Sequence, residues 1–389
     1  RKFVEKRVLA ELPVPPWLDE GRCVGVGSYG VSHGLVLSSY CKKSPTLDRL
    51  HVEIVRFYEY MMPSQGERNV RERAALGYID RERAALGYIE VLERFDGVEA
   101  VRITGSYSTG LCLPTSDVDL VMLAEVGGRT DDEFLEALMH HLVSHTSLSL
   151  NEDIRLIRAR VPILKLTDPP SGTSIDISLN KRNAIKCSDL VRENLKAIPG
   201  LRYLMFVLKH LLTISGMNEP YKGGLSSYPL FLMATHFLRT IFAHSAFRLT
   251  HTNLGEMMFR FLEFYGSVFN HTTTKLDFKQ NGHETLYAIR TNNKSNNISI
   301  QDPLDEQNDV GFSTFNYPAI KLHFEQTLKR LAQCLALNSY GFETPSILNS
   351  IVAVSHQLIQ TRNTLKTLCT AESHNTTDQE NNKPTRTSS

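Results

Sequence analysis

The chain has 389 residues, 41% hydrophobic and 22% charged, which is enough apolar material for two packed domains rather than one. Lys and Arg number 43 against 42 Asp and Glu, and a formal charge of +1 excludes a global basic field of the kind that binds nucleic acid unaided. No apolar run of about 18 residues occurs, so this sequence holds no candidate membrane-spanning helix and no membrane partner is expected.

Residues 1–45 mix Pro, Gly and Ser without a steady period and are predicted to form an irregular arm. Apolar residues then recur at helical spacing (Leu47, Leu50, Ile54, Val55, Tyr58), predicting an amphipathic helix over 46–62 ended by Pro63. The nonapeptide RERAALGYI at 71–79 recurs unchanged at 81–89. Two copies of so short a period cannot stack a core, so the pair reads as a tandem duplication lengthening one helix over 67–94, with a kink or looped-out copy near Gly77. Strands are predicted at 99–104, 118–124, 153–166 with a break at Pro162, and 174–179, with a helix at 131–145 among them. From 183 the pattern is helical, over 184–197, 200–216, 226–242 and 254–269. A polar, Asn-rich stretch follows at 271–297, then the short segment ISIQDPLDEQNDVG, helices at 317–336 and 345–367, and a tail over 368–389 predicted to be disordered. The six cysteines (Cys23, Cys41, Cys112, Cys187, Cys334, Cys369) show no CxxC pair and are expected as free thiols in a reducing compartment.

The chemistry concentrates in GSYSTGLCLPTSDVDLVML, residues 105–123. Alternate strand residues share a face, so Asp117 and Asp119 project together while Val118, Leu120 and Met122 turn the other way. Two carboxylates side by side repel unless a cation lies between them, and a hard divalent ion with oxygen ligands, Mg²⁺ or Mn²⁺, resolves that cost. In SIDISL a third acid, Asp176, alternates with Ile175, Ile177 and Leu179. Three acids on adjacent strands suit two ions about 3.5–4 Å apart, the arrangement of in-line nucleotidyl transfer. Gly105 and Ser106 then acquire a role, because glycine lets backbone approach a phosphate closely and the neighbouring N–H and hydroxyl groups donate to its oxygens.

Those segments, together with RARVPILKL, FVLKHLL, GGLSSYPLFLMATHFL, NLGEMMFRFLEFYG and QDPLDEQNDVG, closely resemble the non-canonical poly(A) polymerases of the TRAMP type, within the DNA polymerase β-like nucleotidyltransferases. The resemblance covers roughly residues 46–336, in matching order. It implies an α+β chain in which a small mixed-sheet nucleotidyltransferase domain is inserted into a helical, poly(A) polymerase-associated central domain. On that basis the catalytic domain is expected at 63–182 and the central domain at 183–367 plus the helix at 46–62. The nucleotide is expected between the two, and a nucleotide-recognition segment at 298–311.

Residue by residue, the resemblance makes Asp117, Asp119 and Asp176 the catalytic and metal-binding acids and places Gly105 and Ser106 at the triphosphate. Lys209 matches a phosphate-contacting lysine, although a lone lysine on an amphipathic helix is more often a surface residue. Ser227 matches a phosphate contact, and Ser226 or Ser227 is positioned to cap a helix whose first turn holds Pro229. Tyr228 matches the base-stacking tyrosine, where the residues alone favour core packing. Asn308 falls where adenylating relatives carry asparagine and uridylating relatives histidine; taken alone it reads as a polar turn residue. Asn183 matches an asparagine that precedes glycine in relatives, but Ala184 follows it here, and Thr213 stands where some relatives have a second phosphate lysine. The activity implied is template-independent, ATP-dependent adenylation of an RNA 3′ end. A terminal uridylyltransferase and an inactive RNA or partner scaffold are the alternatives. The partners implied are a zinc-knuckle RNA-binding protein, an RNA helicase and the nuclear exosome. The implied location is the nucleus, nucleolus included, with the cytoplasm as the alternative.

Overall fold

The computed structural model describes residues 45–64, 68, 88–159, 161–169, 171–242, 253–278, 285–288, 296–342 and 344–354, with further helical positions between 356 and 367. The predicted N-terminal arm and C-terminal tail, with Cys23, Cys41 and Cys369, lie outside the described residues. So does the duplicated segment up to residue 87; its end enters the helix Tyr88–Glu93. The chain divides into two compact units, and the described residues of Met62–Asp189 fall in one while those of Leu190–Ser355 join the helix Pro45–Met61 in the other.

In the first unit, β1 (Val98–Thr104), β2 (Val118–Ala124), β3 (Ile154–Ile157), β4 (Ile163–Thr167) and β5 (Ser174–Leu179) form one sheet in the order β1-β2-β5-β4-β3. Only β2 and β5 run parallel. The apolar members of β5 (Ile175, Ile177, Leu179) and of β4 (Leu164, Leu166) are buried on one face, while Asp176 and Lys165 turn to the other. That buried face shares a core with Leu120 and Met122 of β2 and with Phe134, Leu135, Leu138 and Leu142 of the helix Asp131–His145. Each fully buried side chain of this kind contributes about 1.5–3 kcal/mol. The helix starts where the sequence places it because Thr130 and Glu133 form a reciprocal capping box. At the far end of β5, Asn180 clamps both backbone groups of Ala124, at 3.0 and 2.9 Å, which ties β5 to β2.

The second unit packs the helices Pro45–Met61, Leu201–Ile214, Ser227–His236, Leu254–Glu263 and Tyr317–Ser339 around an aromatic core of Phe57, Phe206, Phe261, Tyr265 and Phe324. The helices predicted over 226–242 and 254–269 occupy those spans but widen at their ends into π-helical turns, Phe237–Phe242 and Phe264–Val268. Gly266 lets the second turn approach the backbone of Glu325, where a Cβ would come within 2.7 Å of its nitrogen. A four-stranded sheet completes the unit: β6 (Thr274–Asp277), β7 (Thr285–Ala288), β8 (Ser299–Asp302) and β9 (Asp305–Asp309), in the order β7-β6-β8-β9.

Two segments given no element from the sequence gain one, and one expected helix is corrected. The Asn-rich stretch contains strands, because Leu276 is buried against β8 rather than left in a loop. ISIQDPLDEQNDVG is the β8–β9 hairpin. The helix predicted at 345–367 is replaced over 344–354 by a single 3-10 turn, Leu348–Ser350, because this segment is held by the buried carboxylate of Glu53 instead of by its own ladder.

Glu53 is 3% exposed and accepts from Ser346 Oγ at 2.7 Å and Leu348 N at 2.8 Å, with Arg49 Nε at 3.1 Å. Glu53→Ala strands these donors, and a loss of about 3 kcal/mol is expected in denaturant unfolding, as for breaking a buried pair from one side. A change below about 1 kcal/mol would refute the latch. Two histidines of the same unit are held neutral. His51 accepts from Leu254 N at 3.0 Å, and burial pushes both His51 and His236 down to about 4. Since the unfolded chain protonates near 6.5, their contribution is complete above that value and is lost as pH falls toward 4. Between pH 7.5 and 5.5 each costs about 1.4 kcal/mol. His236→Gln should shrink the measured pH dependence by its share, and an unchanged slope would contradict the assignment.

Candidate active site

Strand pairing brings residues far apart in sequence into one row. Thr104 of β1 lies opposite Asp119 of β2, Asp119 opposite Asp176 of β5, and Asp176 opposite Lys165 of β4. Asp117 stands just before β2. Lys165 Nζ lies 3.0 Å from Asp117 Oδ2 and 2.9 Å from Asp176 Oδ1, so an ammonium bridges two of the three acids. Sequence reasoning required a cation between carboxylates, and here the chain supplies one. Burial disfavours the Lys165 charge, but bonds to Asp176 and Asp117 outweigh it and leave the pKa raised. Asp176 is also raised, by burial first and by the charge of Asp117, against the opposing effect of Lys165.

Asp119 is positioned by Gly105. The glycine has φ of +63°, and a Cβ there would come within 2.0 Å of Asp119 Oδ2. Only a residue without a side chain admits the carboxylate at this place. Residues Gly105–Thr109 form a single helical turn that ends on left-handed Gly110. Leu111, Cys112, Leu113 and Pro114 are then buried and carry the chain back to Asp117. Ser106 is half-buried in that turn, and Ser188 accepts from the Gly105 N–H at 3.0 Å. Asn183 lies exposed near the start of the helix that carries Ser188, Arg182–Ala197.

A hard divalent ion suits three carboxylates on neighbouring strands in donor chemistry. Among the described residues, however, no three His, Cys, Asp or Glu side chains converge as a ligand set.

The remaining candidates belong to the helical unit. Lys209 is buried, 7% exposed, and is therefore not a surface lysine. Ser226 occupies the N-cap of the helix Ser227–His236 without a side-chain capping bond, and Ser227 follows it, exposed. Tyr228 is half-buried, stacks on Phe231 with ring centroids 6.3 Å apart, and donates from its hydroxyl to Asp302 Oδ1 at 3.0 Å. Asn308, on β9, donates from Nδ2 to Asp302 Oδ2 at 2.9 Å. The base-stacking and base-reading candidates thus meet through one carboxylate. Sequence reasoning passed over Lys165, Ser188 and Asp302. Lys165 is signalled only as the polar member of ILKL, and Asp302 only as one of several acids in QDPLDEQNDVG.

The family described as poly(A) RNA polymerase, mitochondrial-like, central palm domain matches residues 50–193, and the Cid1 family poly A polymerase matches residues 253–308. The chain is 30% identical over 330 residues to Poly(A) RNA polymerase protein 2 of Saccharomyces cerevisiae, covering 80% of this chain and 53% of that protein. It is 31% identical over 326 residues to the inactive non-canonical poly(A) RNA polymerase protein Trf4-2 of Drosophila melanogaster, covering 82% and 76%. The solved polymerase core of TRAMP, an RNA surveillance complex, superposes with a TM-score of 0.66 at 28% identity over 79% of this chain and 97% of that one. The chain spans about half the length of several curated relatives it matches. With both family segments present in order on the fold of a TRAMP polymerase core, the chain belongs to the TRAMP-type non-canonical poly(A) RNA polymerases of the polymerase β-like nucleotidyltransferase superfamily.

Proposed function

We propose that this chain transfers adenylates from ATP to an RNA 3′ end without a template. The observation that carries the reading is the register that sets Asp119 beside Asp176, with Gly105 packed on Asp119. On donor chemistry Asp117, Asp119 and Asp176 are assigned to hold divalent metal, Mg²⁺ or Mn²⁺, which would compete with the Lys165 ammonium that now bridges Asp117 and Asp176. When bound, such ions supply the positive charge that eases attack by a hydroxyl and departure of pyrophosphate. Asp176 takes the proton of the RNA 3′ hydroxyl, whose oxygen attacks the α-phosphate of ATP. The helical turn at Gly105 and Ser106 offers backbone and hydroxyl donors to the phosphates. Lys209 and Ser227, in the other unit, are assigned the same role; Tyr228 is assigned to stack on the base and Asn308 to read it. Asn183 is assigned to the ribose side.

One curated relative is named as inactive, so the acids deserve weight. Asp117, Asp119 and Asp176 are all present here, and a scaffold has no need to carry their mutual repulsion. A formal charge of +1 supports weak RNA binding by the chain alone and a borrowed RNA-binding partner. A zinc-knuckle protein, with a helicase and the nuclear exosome acting on the tailed product, is the proposed setting.

Purified protein with an RNA primer and each of the four nucleotides should extend the primer with ATP best and release pyrophosphate. A clear preference for UTP would overturn the adenylation reading, and no release with any nucleotide would favour a scaffold. Asp119→Ala should lower kcat/KM by about 10²–10³-fold or more, the cost of losing a group that stabilises developing charge. Wild-type rates in that variant would overturn the site assignment. Gly105→Ala pushes the Asp119 carboxylate aside. It should cost about 10²-fold, as an ångström-scale misplacement does, with the circular dichroism of the fold retained. Full activity in Gly105→Ala would show that Asp119 need not sit where the sheet holds it.

A further inference from the structure

Asp302 is 6% exposed and has no place in the chemistry assigned above, yet it accepts three hydrogen bonds. Its Oδ1 receives the Tyr228 hydroxyl and the Leu304 N–H, each at 3.0 Å, and its Oδ2 receives Asn308 Nδ2 at 2.9 Å. We infer that Asp302 is the positioning residue for base choice: it fixes the Tyr228 ring and dictates which end of the Asn308 amide is offered to the base. The inference deepens the proposed function and rests on Asn308 as the base reader.

The reasoning is one of donor and acceptor balance. An amide has two ends of opposite character, and nothing in its shape selects between them. A carboxylate only accepts, so it turns the NH₂ of Asn308 inward and leaves Oδ1 and the second N–H to an incoming base. That pair matches adenine, whose C6 amino group donates and whose adjacent ring nitrogen accepts. A base with a keto group at the same place meets an acceptor with an acceptor. Asn308 is exposed on β9, so packing around it does not fix the amide. The same carboxylate holds the Tyr228 hydroxyl, which couples the ring's tilt to the reader's orientation.

Asp302→Asn inverts the logic. To keep accepting from Tyr228 and Leu304, the new amide must place its oxygen where Oδ1 was, and its NH₂ then faces Asn308. Asn308 must answer with its own oxygen and present NH₂ outward. The amino-base preference should therefore turn toward a keto base.

The test compares ATP with ITP, which differ at that edge, by equilibrium nucleotide binding and by kcat/KM for primer extension. In Asp302→Asn the ATP:ITP ratio should fall by at least about tenfold, the discrimination of one bidentate amide pair. In an Asn308→Ala background the same substitution should leave the ratio unchanged, because the effect passes through Asn308. Equal losses for ATP and ITP, with the ratio constant, would make Asp302 a purely structural residue and overturn the inference. A ratio shift that persists in Asn308→Ala would overturn it as well. If the wild-type chain prefers UTP, adenylation fails as a reading while the inference is read in the CTP:UTP ratio, which sets the same amino group against the same keto group. Binding measurements give the ratios even where turnover is absent.

Discussion

The parallel pairing of β2 with β5 is the constraint on which the candidate active site depends. It sets Asp119 directly across from Asp176, and a slip of one residue would send either carboxylate into the apolar face. The register is held from beneath by Leu120, Ile175 and Ile177, none of them measurably exposed, and from the end by Asn180 on Ala124. A site of like charges is thus assembled by groups that carry no charge. Its electrostatic cost is met locally by Lys165, and the burial of the opposite face supplies the free energy that keeps the strands in place.

The acids discussed above are stabilised in three different ways. Asp117 and Asp176 share an ammonium, a partner that a mobile cation of higher charge can rival. Glu53 combines an arginine with a hydroxyl and a backbone N–H, and so fastens the segment around Leu348 to the helix Pro45–Met61. Asp302 relies on neutral donors alone. The first arrangement suits a place where cations exchange, and the other two suit places where geometry must persist.

Much of this was legible in the sequence because the signals are local. Strand periodicity located β2 and β5 residue for residue, and the sequence pattern placed the helix Asp131–His145 at its observed bounds. What escaped depends on pairings between distant segments. Nothing in ILKLT reveals that Lys165 lies opposite Asp176, since only the sheet order brings them together. Asp302 is one acid among several in QDPLDEQNDVG, and only the pairing of β8 with β9 sets it apart. The π-helical turns at Phe237–Phe242 and Phe264–Val268 are invisible to a periodicity test that cannot tell a wide turn from an ordinary one in an aromatic-rich run. The stretch after Pro345 carries helical spacing yet gives its backbone to Glu53, a tertiary bond overriding a local preference.

The two groups of candidate residues occupy separate compact units: the acids on the five-stranded sheet, and Tyr228, Asp302 and Asn308, proposed to meet the base, in the helical unit. The two sets draw on different cores and share no strand. On the roles proposed for them, substitutions in the β8–β9 hairpin can therefore alter the nucleotide preferred while the sheet register keeps the same three aspartates in place. A lineage built on this plan is free to diversify what it adds without reinventing how it adds it.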